Sequence, residues 1–262
     1  MKVGIVGGSG QLGGAIARAW LRAGVVASSD LWISNRSGAR VGFEDWPDVT
    51  VTPDNSALAE ACDVVLLSAP PHLAAGLGLD LRGKLVLSVM AGQSIADLAD
   101  MTGSERIIRA MSSPAADIGL AYSPWVASSG VSEADRALVT ALFEACGETD
   151  EVRGEDQIDH FTALTGPVPG FVAYFADCMT RYAVNNGIAP EIANKAMRQL
   201  FLASGTVLSQ SDTPPSAFVK EMIDYAGTTA AGLQAMEASP LAEAVEQGLR
   251  AAYNKALQIG KA

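Results

Sequence analysis

The amino-acid sequence predicts an α/β fold, in which a doubly wound parallel sheet is followed by an all-helical second half. Three observations support this prediction. The first half alternates short β-type runs with helical stretches, as βαβ units do. Several of those runs are apolar throughout, which is typical of strands that are covered on both faces. From about Glu155 onward no further β-branched run appears, and the pattern is helical.

Six runs of the first half are typical of strands, because each is short and rich in apolar or β-branched residues. They are Lys2–Val6, Leu31–Ser34, Val49–Thr52, Val64–Ser68, Leu85–Met90 and Ile107–Met111. The intervening helices are predicted over Leu12–Ala23, Asn55–Ala61 and Ile95–Thr102. Ser132–Cys146 is a further helix, because Ser132 is a suitable N-cap and Gly147 ends the apolar pattern. Glu148–Arg153 is predicted as a last strand.

Helix boundary signals divide the second half of the chain. Gly187 ends one helix and Pro190 opens the next, in the positions that these residues prefer. The predicted helices cover Phe171–Asn186, Glu191–Ser209, Ser216–Tyr225, Thr229–Ala238 and Leu241–Ile259. We therefore predict two domains, residues 1–153 and residues 154–262. A helical domain of this size buries a limited fraction of its surface, so we expect it to pack on the first domain or on a second subunit.

The composition excludes several classes of protein. Hydrophobic residues make up 49% of the 262 residues, which is too apolar for a disordered chain. The net charge of −11 does not fit a nucleic-acid groove or an anionic membrane surface. Three scattered cysteines and two histidines argue against disulfides and a metal site. No apolar run is long enough to span a membrane, and the N-terminus does not resemble a signal peptide. We expect a cytoplasmic protein.

A glycine-rich loop follows the first predicted strand. Gly8, Gly10 and Gly13 satisfy the pattern GxGxxG between a strand and a helix. Such glycines let backbone N–H groups approach a pyrophosphate, and the helix N-terminus favours the anion. The sequence therefore predicts a Rossmann-type dinucleotide site, with a flexible turn as the alternative. Its expected cofactor contacts are Gly8, Ser9, Gly10, Gln11, Leu12 and Gly13.

The end of the second strand favours NADP(H) as the cofactor. A carboxylate there would bind the ribose 2′-hydroxyl of NAD, but the strand ends in Asn35, Arg36 and Ser37. A guanidinium can pair with a 2′-phosphate in fork geometry, so we expect Arg36 to contact it. The alternative is that Arg36 is a solvated surface charge. Ala69 and Pro70 end another strand and are expected to flank the nicotinamide side of the cofactor.

Five segments carry motifs of a known family. Ile5–Gly13 is the phosphate loop, Leu85–Ile95 is a strand with an AGxSI turn, and Arg106–Met111 is a third segment. Thr162–Gly166 reads TALTG, and Gly227–Leu233 reads GTTAAGL. In this order, over nearly the full length, they resemble the pyrroline-5-carboxylate reductase family. The phosphate loop is also similar to that of F420-dependent NADP oxidoreductases.

This resemblance implies reduction of a C=N bond in a small, carboxylate-bearing imine, and a place in proline biosynthesis. It also implies a helical dimerisation domain, and hence a homodimer or a higher homo-oligomer. Thr229 would face the imine nitrogen, with helix capping as the alternative role for this threonine. Asp224 and Tyr225 are candidate proton sources. The residues whose backbone would bind the substrate carboxylate are Ala226, Gly227, Thr228 and Thr229.

Three segments depart from the family pattern. The family's MPNTPA is Met111–Ala116 here and lacks the Asn, and its SGSGPAY is Thr165–Phe171 here, with Pro167 and Pro169. Its SPGGTT is Asp224–Thr229 here, with one glycine lost. We therefore expect weak activity on pyrroline-5-carboxylate itself and a preference for another imine. The alternatives are an F420-linked or ketone-reducing NADP oxidoreductase and a non-catalytic NADP-binding paralogue.

Overall fold

The computed structural model describes residues 1–166 and 169–259. The chain forms two compact units, one of Met1–Val168 with Arg250–Ala262 and the other of Pro169–Leu249. The helix Glu155–Leu164 lies in the first unit, although the sequence analysis assigns it to the second domain. The domain division after residue 153 stays a prediction, because compactness alone does not define a sequence domain.

The first unit contains a seven-stranded sheet that is parallel except at one edge. In spatial order its strands are β3-β2-β1-β4-β5-β6-β8, and β8 is antiparallel to β6. The order reverses between β1 and β4, and ligands bind at such a reversal in open α/β sheets. The strands are β1 (Val3–Val6), β2 (Leu31–Ser34), β3 (Thr50–Thr52), β4 (Val64–Leu67), β5 (Leu85–Ser88), β6 (Arg106–Ala110) and β8 (Trp125–Ala127). A separate two-stranded sheet pairs β7 (Ala121–Tyr122) with β9 (Gly147–Glu148).

Five helices complete the first unit together with the end of the chain. They are α1 (Gln11–Ala23), α2 (Asn55–Ala61), α3 (Ile95–Thr102), α4 (Glu133–Glu144) and α5 (Glu155–Leu164). Ser94 and Ser132 form capping boxes with Asp97 and Asp135, and Asp54 caps α2. These caps explain why the predicted starts of α2, α3 and α4 agree with the structure to within one residue.

The core of the first unit lies on both faces of the sheet. Strands β1, β4 and β5 are buried along their whole length, as their apolar sequences predict. Trp20 of α1 is fully buried, and its indole N–H donates to the Leu142 carbonyl over 2.7 Å. Cys62 and Cys146 are buried as well, and burial raises the pKa of their thiols to about 11 and about 12.

Two details of the sheet differ from the sequence analysis. The predicted last strand, Glu148–Arg153, is wrong, because the strand is Gly147–Glu148 and Glu151 adds only an isolated bridge to Trp125. Strands β7 and β8 were not predicted. They have two and three residues, so they are too short to show a period.

The second unit is helical throughout its described residues. Helices α6 (Gly170–Asn185), α7 (Pro190–Ser209), α8 (Pro215–Asp224) and α9 (Thr228–Glu237) lie in it, with the first part of α10 (Leu241–Ile259). Helix α6 packs on α7, and α8 packs on α9. Large apolar side chains are nevertheless exposed on α6 and α7, namely Phe171, Val172, Tyr174, Phe175, Tyr182, Ile192, Leu200, Leu202, Val207 and Leu208. Within the described residues, no helix is both long and apolar enough to cross a membrane.

Candidate functional site

The glycine loop lies at the carboxyl end of β1, where the strand order reverses. Gly7 has a φ of +82°, so the residue with left-handed backbone lies just before the GxGxxG triplet. A Cβ atom on Gly13 would come within 2.8 Å of the Gly7 carbonyl oxygen, and one on Gly8 within 2.8 Å of Ile33 Cδ1. Gly7, Gly8 and Gly13 therefore favour glycine over any residue with a side chain, and they hold the loop in a tight turn against β2 and β4.

The loop presents free backbone donors at the start of α1. Gly10 is the N-cap of this helix and contributes no side-chain cap. The amides of Gln11, Leu12 and Gly13 donate to no other residue within the described part of the chain. Unpaired N–H groups at a helix N-terminus suit an anion, because the helix dipole adds to their own hydrogen bonds.

The loop after β2 is joined to the glycine loop by hydrogen bonds. The Ser34 carbonyl accepts from the amides of Gly7 and Gly8 at 3.1 and 3.2 Å. Asn35 Nδ2 donates to Ser9 Oγ over 2.6 Å, and Asn35 Oδ1 accepts from the amide and hydroxyl of Ser37. The two segments predicted to bind the cofactor are thus neighbours.

Arg36 is the one predicted contact in this loop that has no internal role. Its side chain is exposed and makes no hydrogen bond or ion pair to any residue in 1–166 or 169–259. Asn35 and Ser37 are instead hydrogen-bonded to each other and shape the turn. The Arg36 guanidinium is therefore available to an incoming anion.

Ala69 and Pro70 flank the opposite side of the glycine loop. They follow β4, whose neighbour in the sheet is β1. A Cβ atom on Gly7 would lie 2.8 Å from the Ser68 carbonyl oxygen, so the two loops are in close contact. The predicted cofactor residues of the first unit, from Gly8 to Pro70, thus converge at the carboxyl ends of β1, β2 and β4.

The segment after β6 reaches the same edge of the sheet. Ser112 and Ser113 are both buried, and their position matches the place where the family has its Asn. The Ser112 hydroxyl is 2.8 Å from the Ser123 hydroxyl, whereas the Ser113 hydroxyl has no partner among the described residues. Asp117 follows in a short 3-10 helix, and hydrogen bonds from Arg18 and also Arg22 of α1 lower its pKa to about 2.

Sequence reasoning missed a group of charged residues at this edge. Arg109 of β6 is buried and pairs with Glu155 and Asp159 of α5. The only sequence signal was an arginine inside an apolar strand and two acids four residues apart on a helix. Nothing in the sequence connects these positions, because 46 and 50 residues separate the partners.

The threonine box lies at the start of α9 in the second unit. Ala226 has a φ of +56°, in the left-handed region, where the family pattern has a glycine. Gly227 is the N-cap and Thr228 is the first helical residue. The capping role considered for Thr229 is therefore wrong, since no side chain caps this helix.

Thr228 and Thr229 are exposed, and the described residues offer their hydroxyls no hydrogen-bond partner. Of the candidate proton sources, Asp224 accepts from Lys220 Nζ at 2.5 Å, and Tyr225 is 84% exposed. Pro167 and Val168 of the altered turn lie outside the described residues. The described residues contain no cluster of His, Cys, Asp or Glu that could hold a metal ion.

Two protein-family models match separate parts of the chain. Residues 155–259 match the model described as pyrroline-5-carboxylate reductase dimerisation. Residues 2–92 match the model described as NADP oxidoreductase coenzyme F420-dependent. Together they place a nucleotide-binding module before a dimerisation module.

Matches to known proteins cover nearly the full length of the chain. The pyrroline-5-carboxylate reductase of Synechocystis sp. is 27% identical over 266 residues, which cover 100% of this chain and 99% of the relative. A crystal structure of Plasmodium falciparum pyrroline carboxylate reductase with NADP bound has a TM-score of 0.84 and 25% identity, and the match covers 99% and 98% of the two chains. A crystal structure of 1-pyrroline-5-carboxylate reductase from Streptococcus pyogenes matches with a TM-score of 0.83 and 27% identity, and the match covers 98% of each chain.

Proposed function

Because the chain belongs to the pyrroline-5-carboxylate reductase family, we propose that it is an NADPH-dependent reductase of a C=N bond in a small, carboxylate-bearing imine. The observation that carries the proposal is the pairing of two sites in one chain. One is a glycine loop beside Arg36, where neither the amides at the start of α1 nor the guanidinium has a partner in the described part of the chain. The other is the N-terminus of α9, where the same holds for the hydroxyls of Thr228 and Thr229. The first suits a phosphorylated dinucleotide and the second suits a carboxylate.

The residues of the first unit fit NADP(H). The tight glycine turn leaves room for a pyrophosphate, and the amides of Gln11, Leu12 and Gly13 would hold it. Arg36 would pair with the 2′-phosphate, while Asn35 and Ser37 keep its loop in place. Ala69 and Pro70 would flank the nicotinamide side. The bound cofactor supplies the hydride, so the protein has to provide orientation and a proton.

The start of α9 would bind and orient the imine. Its backbone amides, from Gly227 to Thr229, would hold the substrate carboxylate, since the N-terminal end of a helix favours an anion. The Thr229 hydroxyl would hydrogen-bond the imine nitrogen and pass it a proton from water. Asp224 is the weaker candidate for a proton source, because Lys220 already occupies its carboxylate.

We propose further that pyrroline-5-carboxylate itself is a poor substrate. Ser113 stands where the family has an Asn, Pro167 stands where its SGSGPAY pattern has the second serine, and Ala226 replaces a glycine. Since a site that loses hydrogen-bond partners for its substrate loses specificity steeply, another imine should fit better. Proline biosynthesis is then not the main role of this chain.

NADPH oxidation over a panel of acceptors tests the proposal. The panel contains pyrroline-5-carboxylate, larger cyclic imino acids, neutral cyclic imines and ketones. We expect the highest kcat/KM for an imino acid other than pyrroline-5-carboxylate. A value above about 10⁵ M⁻¹ s⁻¹ for pyrroline-5-carboxylate, ordinary for a native substrate, would contradict the altered preference. Tight NADPH binding without turnover of any acceptor would favour a non-catalytic paralogue.

A second candidate function follows from the match of residues 2–92 to an F420-dependent model. In that case the chain transfers hydride between NADP and the deazaflavin F420. The same assay with oxidised F420 as acceptor separates the two functions. Reduction of F420 faster than of every imine would replace the first proposal with the second.

A further inference from the structure

A buried ion cluster joins the last parallel strand to helix α5. Arg109 of β6 is 4% exposed, and its guanidinium donates to Glu155 Oε2 over 3.1 Å, to the Glu155 carbonyl over 3.3 Å and to the Asp159 carboxylate. Glu155 and Asp159 lie one turn apart on α5, so a single planar guanidinium contacts both.

Glu155 extends the cluster to a third element. Its Oε2 also accepts the amide of Ile95, the first residue of α3, over 2.8 Å. Glu155 is itself the first residue of α5. The Glu155 carboxylate therefore accepts the first amide of α3 beside the Ser94 capping box, and it also pairs with Arg109 of β6. A lysine at position 109 could not form these contacts together, because an ammonium lacks the fork geometry of a guanidinium.

The other end of α5 lies beside the segment that follows β6. Ile158 forms a small apolar cluster with Met111 and Val126. A Cβ atom on Gly166 would come within 3.6 Å of Met111 Sδ. The TALTG segment, Thr162–Gly166, thus ends next to Met111 and its neighbour Ser112. This is the edge of the sheet where the cofactor residues converge.

The charges of the cluster make α5 sensitive to the loss of any member. Arg109 brings one positive charge to two carboxylates, and its Nε has no hydrogen-bond partner among the described residues. Asp159 is 13% exposed, so it is largely removed from water. Removal of Arg109 would leave two carboxylates without their cation. Removal of Asp159 would leave Arg109 paired with Glu155 alone and would take away its contact with the second turn of α5.

We propose that Arg109 is a positioning residue of the reductase. Through Glu155 and Asp159 it fixes α5, and α5 fixes Thr162–Gly166 beside Met111 and Ser112, at the edge of the sheet where the predicted cofactor residues of the first unit converge. This inference rests on the proposed function for its catalytic consequence. The placement of α5 is independent of that function, because deuterium uptake of residues 155–166 measures it directly.

The test compares Asp159→Asn with Asp135→Asn. Asp135 is a matched control, because it pairs with Arg106 at the other end of β6 and is also buried. Each variant is measured as the full-length protein for melting temperature, NADPH affinity, kcat and KM for the best imine, and deuterium uptake of peptides from residues 155–166. Arg109→Lys is added, since it keeps the charge and loses the fork.

We expect Asp159→Asn to raise deuterium uptake in residues 155–166 and to lower kcat/KM for the imine about tenfold or more. Its NADPH affinity should stay within about twofold of wild type, since no cofactor contact is lost. The deuterium uptake and the kcat/KM of Arg109→Lys should both lie between the values of Asp159→Asn and wild type. Asp135→Asn should lower the melting temperature and leave uptake in residues 155–166 and kcat/KM unchanged.

Two results would overturn the inference. One is equal loss of kcat/KM in Asp159→Asn and Asp135→Asn, which would reduce Arg109 to a general stabilising role. The other is unchanged deuterium uptake of residues 155–166 in Asp159→Asn. If wild-type protein reduces no imine, the proposed function fails, and the uptake measurement alone decides whether Arg109 fixes α5.

Discussion

Asn35 donates a hydrogen bond of 2.6 Å to Ser9, and this bond ties the loop after β2 to the glycine loop after β1. Asn35 Nδ2 also donates to the Ala39 carbonyl, and its Oδ1 accepts from Ser37. Asn35 therefore shapes a turn, and Arg36 at the tip of this turn has no partner among the described residues. In the proposed cofactor site, Asn35 would thus support binding of either dinucleotide, and Arg36 would select the form that carries the 2′-phosphate.

Arg36→Ala should raise the KM for NADPH about tenfold or more, because a charge-assisted contact contributes roughly 1.5–3 kcal/mol. NADH kinetics should barely change, since NADH lacks the 2′-phosphate. Asn35→Ala serves as the comparison, and it should weaken both cofactors by similar factors because it loosens the shared turn. Steady-state kinetics with each cofactor measure both variants. Faster use of NADH than NADPH by the wild type would disprove the cofactor preference.

Thr229→Ala should lower kcat for the imine more than it lowers NADPH affinity. The Thr229 hydroxyl is exposed and has no partner within residues 1–166 and 169–259, and the N-cap of α9 is Gly227. Removal of the hydroxyl should therefore cost little stability. Thr229→Ser keeps the hydroxyl and should retain much of the activity. Kinetics and thermal melts of the three proteins decide this. Intact turnover in Thr229→Ala would remove Thr229 from the mechanism.

Ala226→Gly should stabilise the protein slightly. A left-handed backbone costs an L-residue about 1–2 kcal/mol. Glycine removes that strain, but it also gives the unfolded chain more conformational freedom, which offsets about 0.4–1 kcal/mol of the gain. The expected net gain in free energy of unfolding is therefore about 0 to 1.6 kcal/mol. Ala226→Val should destabilise, because a β-branched residue tolerates positive φ poorly. Urea denaturation measures both, and a lower stability for the glycine variant would argue against strain at Ala226.

Asp135 should make stability depend on acid pH. The Arg106 hydrogen bond, more than any other contact, lowers the pKa of this carboxyl from 3.8 to about 2 in the folded chain. Its stabilising contribution is therefore complete above the unfolded pKa and is lost as the pH falls towards 2. Asp135→Asn should cost about 2 kcal/mol at pH 7, and the difference from wild type should shrink below about pH 4. Denaturation series at several pH values measure this, and a constant difference would contradict it.

The protein should be at least a dimer, with the contact made by the second unit. The apolar side chains exposed on α6 and α7, among them Tyr174, Phe175 and Leu202, need a covering surface. Light scattering should give at least twice the chain mass of 27.1 kDa. A monomer at micromolar concentration would contradict this prediction.

Local patterns predicted most of the fold. Strands such as Val64–Leu67 are buried on both faces and are apolar at every position, so their sequence reveals them directly. Helices α2 and α3 begin at capping residues, which fixed their bounds. Strand β8 was missed, because three residues that return antiparallel beside β6 carry no pattern of their own.

The candidate site was predictable only where a motif is continuous along the chain. The glycine loop and the turn at Arg36 each occupy one short segment, and each follows a strand. The cluster of Arg109, Glu155 and Asp159 is different, because its members meet only after β6 and α5 pack together. The placement of α5 in the first unit could not be derived from helical periodicity. Periodicity indicates that a segment is helical, but it does not indicate which element the helix packs against.

The division of the chain has a consequence for synthesis on the ribosome. The first unit includes Arg250–Ala262, so the second unit is an insertion within its sequence. Tyr253 stacks on His160 of α5 with ring centres 4.2 Å apart, and Ala256 is buried. The first unit therefore begins to emerge before the second, but it acquires these contacts of α10 only after the whole second unit has been synthesised. A nascent chain released early would carry the complete glycine loop and an α5 without Tyr253.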